Sequence, residues 1–125
     1  MHVVNKLKMI LMVVSDMPKA KAFYTAALGL QITKDYRQDD DHWWVSLAFP
    51  EGGASINLST YPRNVTPGTI SLYFLTSDVG AARQELSEKG VAVSEVQDDL
   101  YGPGSGVKWF NLHDPDGNQV LVVEA

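Results

Sequence analysis

Hydrophobic and polar positions along the chain change period several times, and each change marks an element. Lys6 to Val14 reads as a strand. Asp16 stands where it can cap a helix that has Pro18 in its first turn and Phe23 and Ala27 at helical spacing, and Gly29 ends that helix. A strand-like pattern runs from Leu30 to Arg37. The charged turn Asp39-Asp40-Asp41 then leads to a strand from Trp43 to Phe49, and Pro50-Glu51-Gly52-Gly53 closes a hairpin into Ala54 to Thr60. After a linker from Pro62 to Gly68 the order returns. Thr69 to Thr76 is a strand, Ser77 or Asp78 caps a helix with Val79, Ala82 and Leu86 inward, and Gly90 stops it. The strands Val91 to Val96, Val107 to Leu112 and Gln119 to Glu124 follow. Between them lie the loop Tyr101 to Gly106 and the turn Asp114-Pro115-Asp116-Gly117-Asn118.

Asp16 falls on Asp78 at an offset of 62 and Gly29 on Gly90 at an offset of 61, so the chain is an internal repeat with one residue deleted in the second helix. Each repeat is a βαβββ unit too small to close a core of its own. The expectation is one α+β domain over residues 1–125, made of repeats of roughly 1–63 and 64–125 that wall a cup-shaped cavity.

Composition narrows what such a cup can serve. A hydrophobic share of 45% supports a sizeable core, and a formal charge of −5 offers no basic face for nucleic acid. The longest apolar stretch, Met9 to Val14, is far too short for a bilayer span. With no cysteine there is neither disulfide nor thiolate chemistry, which favours a reducing cytoplasm.

Two segments carry a family likeness. The run Val14-Ser15-Asp16-Met17-Pro18-Lys19-Ala20-Lys21-Ala22-Phe23-Tyr24-Thr25, with Leu28-Gly29-Leu30, resembles the first-helix signature of the vicinal oxygen chelate superfamily (glyoxalase, bleomycin resistance and extradiol dioxygenase proteins). Phe110 to Asn118 is similar to its final hairpin. The resemblance implies a curved, largely antiparallel eight-stranded sheet around a cup, and commonly a homodimer. It leaves the reaction open, because the fold hosts both enzymes and drug-sequestering proteins.

The resemblance also locates the metal-ligand positions, one on the first and one on the last strand of each module. They fall on Met9, Asn57, Ser71 and Leu121, none a plausible ligand for zinc or iron. Only Gln119 and Glu124 on the last strand are candidates, and one ligand cannot hold a catalytic divalent ion. His2, His42 and His113 read as solvated. No metal and no cofactor are expected.

Strand alternation then sorts the lining. With Asn57 and Ser71 facing the cup, Ser55, Ser59, Thr69 and Tyr73 join them, while Ile56, Leu58, Ile70, Leu72 and Phe74 face the helices. The ligand-binding set is Met9, Leu11, Trp44, Asn57, Ser59, Ser71, Tyr73, Trp109, Asn111, His113 and Leu121, which suits an aromatic or amphipathic molecule. Trp109 and Tyr73 could instead only fill space between modules. His113 is the one candidate for proton transfer, although its place beside a turn favours an ordinary hydrogen-bonding role. Tyr101 to Gly106 reads as a rim over the cavity or as a simple turn, and Asp39 to Asp41 with Asp98 and Asp99 as solvated charge or a lure for a cationic ligand. The resulting expectation is metal-independent small-molecule binding. The alternatives are a glyoxalase-like lyase, isomerase or dioxygenase with a rearranged or absent metal site, and an interaction module.

Overall fold

The computed structural model describes residues 3–61 and 66–125. His2 and residues 62–65 of the expected linker lie outside the described residues. The chain divides into two compact units, Met1–Pro67 and Gly68–Ala125.

The first unit runs β1 (Met9–Val13), α1 (Met17–Ala22), a π-helical turn (Phe23–Ala27), β2 (Gln31–Asp39), β3 (His42–Ala48) and β4 (Ser55–Ser59). Its sheet has the order β1-β4-β3-β2, with β1 parallel to β4 and the other pairs antiparallel. Strand β1 begins at Met9 rather than Lys6 because its partner begins at Ser55, whose N–H reaches the Lys8 carbonyl at 3.1 Å. Asp16 caps α1, its carboxylate accepting the Lys19 N–H at 3.1 Å.

The helix expected to run unbroken to Gly29 widens after Ala22. The Thr25 hydroxyl donates to the Lys21 carbonyl at 2.7 Å, and the Leu28 N–H reaches back five residues to the Phe23 carbonyl at 3.1 Å. Tyr24 on this turn is fully buried, its hydroxyl 3.9 Å from the sulfur of the equally buried Met12. With Met17, Ala20, Val45, Leu47, Ile56 and Leu58, these two side chains form the core of the unit.

The second unit runs β5 (Ser71–Thr76), α2 (Val79–Glu88), β6 (Trp109–His113) and β7 (Gln119–Glu124), with the sheet order β5-β7-β6. The plan repeats. Strand β5 is parallel to β7 as β1 is to β4, and Asp78 caps α2 by accepting the Ala81 N–H at 3.0 Å. Phe110, Leu112 and Val120 are essentially fully buried on one side of this sheet. Gly68 opens the unit at φ +86, where an added Cβ would collide with the Asp116 carbonyl, so only glycine fits.

The described residues contain seven strands in two sheets, not the eight of a single curved sheet. The missing strand is Val91 to Val96. This segment does lie beside β6, with the Ser94 N–H on the Asn111 carbonyl at 2.9 Å and a bridge between Gln97 and Trp109. A regular ladder fails because side chains take its groups. The Ser94 hydroxyl accepts the Asn111 N–H at 2.8 Å, and the Ser94 carbonyl accepts from Nε of Arg83 at 2.7 Å.

Candidate functional site

Residues opposed across a ladder share a face of the sheet, so register settles which side chains lie together. In the first unit Leu11 pairs with Asn57, Val13 with Ser59, Trp44 with Ser59, and Ser46 with Asn57. Met9, Leu11, Trp44, Asn57 and Ser59 therefore share one face, opposite the core residues Met12, Val45, Leu47, Ile56 and Leu58. In the second unit Ser71 pairs with Gln119 and Tyr73 with Leu121, while Trp109 pairs with Val123, Asn111 with Leu121 and His113 with Gln119. Ser71, Tyr73, Trp109, Asn111, His113 and Leu121 share the face opposite Phe110 and Leu112.

The polar residues of the first face form a connected network. The Trp44 indole N–H donates to Oδ1 of Asn57 at 2.9 Å, with a longer contact of 3.2 Å to the Ser46 hydroxyl. Ser46 donates to the same Oδ1 at 2.5 Å, and Nδ2 of Asn57 donates to the Ser55 hydroxyl at 3.1 Å. This fixes the amide orientation, since the reverse would set the Asn57 N–H groups against the indole N–H. Asn57 is only 3% exposed, so these bonds offset the cost of burying its amide. Ser59 is buried and its hydroxyl accepts the Tyr61 N–H at 3.0 Å.

Aromatic rings extend this face. Tyr61 meets Trp44 edge-on with ring centres 6.2 Å apart and meets His42 at 5.3 Å. Tyr36 lies directly across from Trp44 and is 56% exposed. Ser46, Tyr36, Tyr61 and His42 were absent from the sequence-predicted lining. Alternation from Trp44 along β3 is the signal that reaches Ser46 and His42, whereas Tyr36 depends on a register interrupted by bulges.

The second face is more open. Tyr73 is 62% and Leu75 76% exposed, and Ser71 and His113 are also exposed. The Trp109 indole N–H donates to Asp99 at 3.1 Å. The glycine loop beyond is a tied turn, with the Gly102 N–H on the Asp99 carbonyl at 2.8 Å and the Ser105 N–H on the Gly102 carbonyl at 3.2 Å.

The donor set does not fit the divalent metal of the resembled enzymes. Both lone pairs of Asn57 Oδ1 are taken by Trp44 and Ser46, and Glu124 alternates onto the face opposite Leu121, where it accepts the Val79 N–H at 2.9 Å. Among the described residues no group of three or more His, Cys, Asp or Glu comes together. The acidic turn is internally paired as well: Asp40 binds Arg37, and Asp39 binds His42 at 2.9 Å.

A recess of about 370 Å³ opens elsewhere in the first unit, beside Asp16, Pro18, Arg37, Asp40, Trp43 and Thr60. It belongs to the opposite side of the sheet, because Trp43 alternates with Trp44. Its groups are engaged with one another. Arg37 lies over the Trp43 ring at 4.4 Å, and the Trp43 indole N–H donates to Asp35 at 2.7 Å. Asp35 also binds Lys21 at 2.5 Å, and chiefly this bond, then that of Trp43, holds its carboxyl below the usual range.

Known proteins match this chain along most of its length. A solved structure of TnmS3, described as an antibiotic binding protein from Streptomyces sp. CB03234, superposes with a TM-score of 0.86 at 26% identity, covering 99% of this chain and 98% of that one. A second protein of that organism, described as a glyoxalase/bleomycin resistance protein, gives a TM-score of 0.78 at 27% identity, over 95% of this chain and 100% of its own. YwkD of Bacillus subtilis, itself uncharacterised, is 32% identical over 115 residues, 86% of this chain and 87% of that protein. Residues 6–122 match the Glyoxalase/Bleomycin resistance protein/Dioxygenase superfamily, and the chain belongs to it.

Proposed function

We propose that this protein binds a small aromatic or amphipathic organic molecule without a metal ion, through the faces that carry Trp44 and Asn57 in one repeat and Trp109 and Asn111 in the other. The observation that carries the reading is the saturation of Asn57. At a position where the resembled enzymes hold a metal ligand, both lone pairs of its amide oxygen are occupied by the chain's own donors. Apolar and aromatic walls with a few fixed polar groups are the usual composition of an organic ligand site. The likeness to TnmS3, described as antibiotic-binding, supports sequestration or carriage over turnover. In this reading the two repeats act as one domain. The chain works as a homodimer, with a second copy covering apolar surface such as Tyr73 and Leu75. The absence of cysteine is in keeping with a reducing cytoplasm.

A melting-temperature screen with bleomycin, 1-anilinonaphthalene-8-sulfonate and other aromatic compounds tests the proposal, since a ligand that binds only the folded state raises the transition. At least one compound is expected to raise it equally with and without EDTA. Elemental analysis of protein purified without chelator provides the opposing result: stoichiometric zinc, nickel, manganese or iron would overturn metal independence. Light scattering is expected to give the mass of a dimer.

A further inference from the structure

We infer that the ligand presents a hydrogen-bond-accepting oxygen, such as a ketone or phenolate, to Ser55 and Asn57, with its flat ring system against Trp44. This inference rests on the small-molecule reading above and adds the chemistry of the bound group.

It follows from the donors and acceptors of the part-buried network. The Trp44 N–H, the Ser46 hydroxyl proton and one N–H of Asn57 are consumed internally. Both lone pairs of Asn57 Oδ1 are consumed with them, so the amide has no acceptor left for a ligand. Two protons remain without a partner among the described residues, the second N–H of Asn57 and the Ser55 hydroxyl proton. They are neighbours, because Nδ2 of Asn57 lies 3.1 Å from Oγ of Ser55.

The bonds also run in one direction. Ser55 accepts from Asn57, and a hydroxyl that accepts a hydrogen bond becomes a better donor at its own proton. The groups that carry the unspent protons therefore lie side by side at one edge of the network, next to β1 at Met9, which pairs with Ser55. Trp44 and the exposed Tyr36 flank the network with aromatic surface. A ligand of ring carbon alone would leave both protons desolvated and unpaired, whereas one with an oxygen at the ring edge satisfies them.

The test compares 9-fluorenone with fluorene, which share a flat tricyclic frame and differ by a carbonyl in place of a methylene. Calorimetric or fluorescence titration of the full chain is expected to show fluorenone binding roughly three- to tenfold tighter, the factor one net hydrogen bond supplies. The infrared carbonyl band of bound fluorenone is expected at lower frequency than in an apolar solvent. Ser55→Ala removes a half-buried hydroxyl, so its fold is checked by circular dichroism. It should reduce the preference and move the band part of the way back towards the apolar-solvent position, because Asn57 still donates, while Ser55→Thr, which keeps a hydroxyl, retains both in full. Equal affinities of the wild-type protein for the two compounds would overturn the inference and leave small-molecule binding standing. Binding of neither would count against both readings.

Discussion

The first unit presents a face whose polar groups are buried or half-buried and bonded to one another, while the second presents one whose Ser71, Tyr73, Leu75 and His113 are exposed. The backbone plan behind them is nearly the same. Each face lies on a parallel pair flanked by an antiparallel strand, and each unit begins with a strand followed by a helix capped by Asp. Repetition of the fold therefore does not impose repetition of the chemistry. The scaffold is held by caps, glycines and the core face, and the opposite face is free to diverge.

Substitutions of decreasing effect can break or sharpen this contrast. Phe110→Ala removes a fully buried ring from the second core, and denaturant unfolding should record a loss of about 3–5 kcal/mol. Asp114→Ala should cost about 3 kcal/mol, because Asp114 accepts both the N–H and the side-chain Nδ2 of Asn118 at 2.8 Å in a buried turn. The Pro50 to Gly53 turn of the first unit has no such acidic side chain at its start, so the penalty belongs to one repeat alone. Asn57→Leu should cost about 1–3 kcal/mol by depriving Trp44 and Ser46 of their acceptor. Leu121→Asn, placing an amide at the buried position of Leu121 on the more open second face, without the partners that Asn57 has, should be the worse of these last two, and equal costs would deny that the faces differ.

The caps supply the matched control. Asp16→Ala and Asp78→Ala should each lower stability by about 1 kcal/mol, and a large inequality would break the equivalence of the two helices. The smallest effect concerns acid. Asp35 titrates below the usual carboxylate range in the folded chain, chiefly through Lys21, so its contribution is present above the unfolded value and is lost as pH falls through the folded one. The melting temperature should decline across that acid window, and less steeply in Asp35→Asn.

What the sequence made legible follows the same division. Two-residue alternation and the turn at Asp114 to Asn118 were enough to pair His113 with Gln119 and Asn111 with Leu121, because a tight turn leaves one register. The cap at Asp16 was readable from a single residue type at a helix start, whereas the second was readable only as Ser77 or Asp78, two neighbours that offer the same acceptor chemistry. The loss of the strand at Val91 to Val96 was not readable, since it depends on Arg83 and on the Ser94 hydroxyl competing for ladder groups. Nor was the widening at Phe23–Ala27, where the Thr25 hydroxyl bonds back into its own helix. Asn57 was placed on the correct strand and face, but its saturation became visible only with Ser46 and Trp44 positioned around it.

Isothermal titration of the EDTA-dialysed protein with 1-anilinonaphthalene-8-sulfonate, beside Trp44→Ala, tests the central claim most directly. The account predicts saturable binding without added metal and about tenfold weaker binding once the indole is removed. Binding that appears only on adding a divalent metal, or that is unchanged in Trp44→Ala, would contradict it.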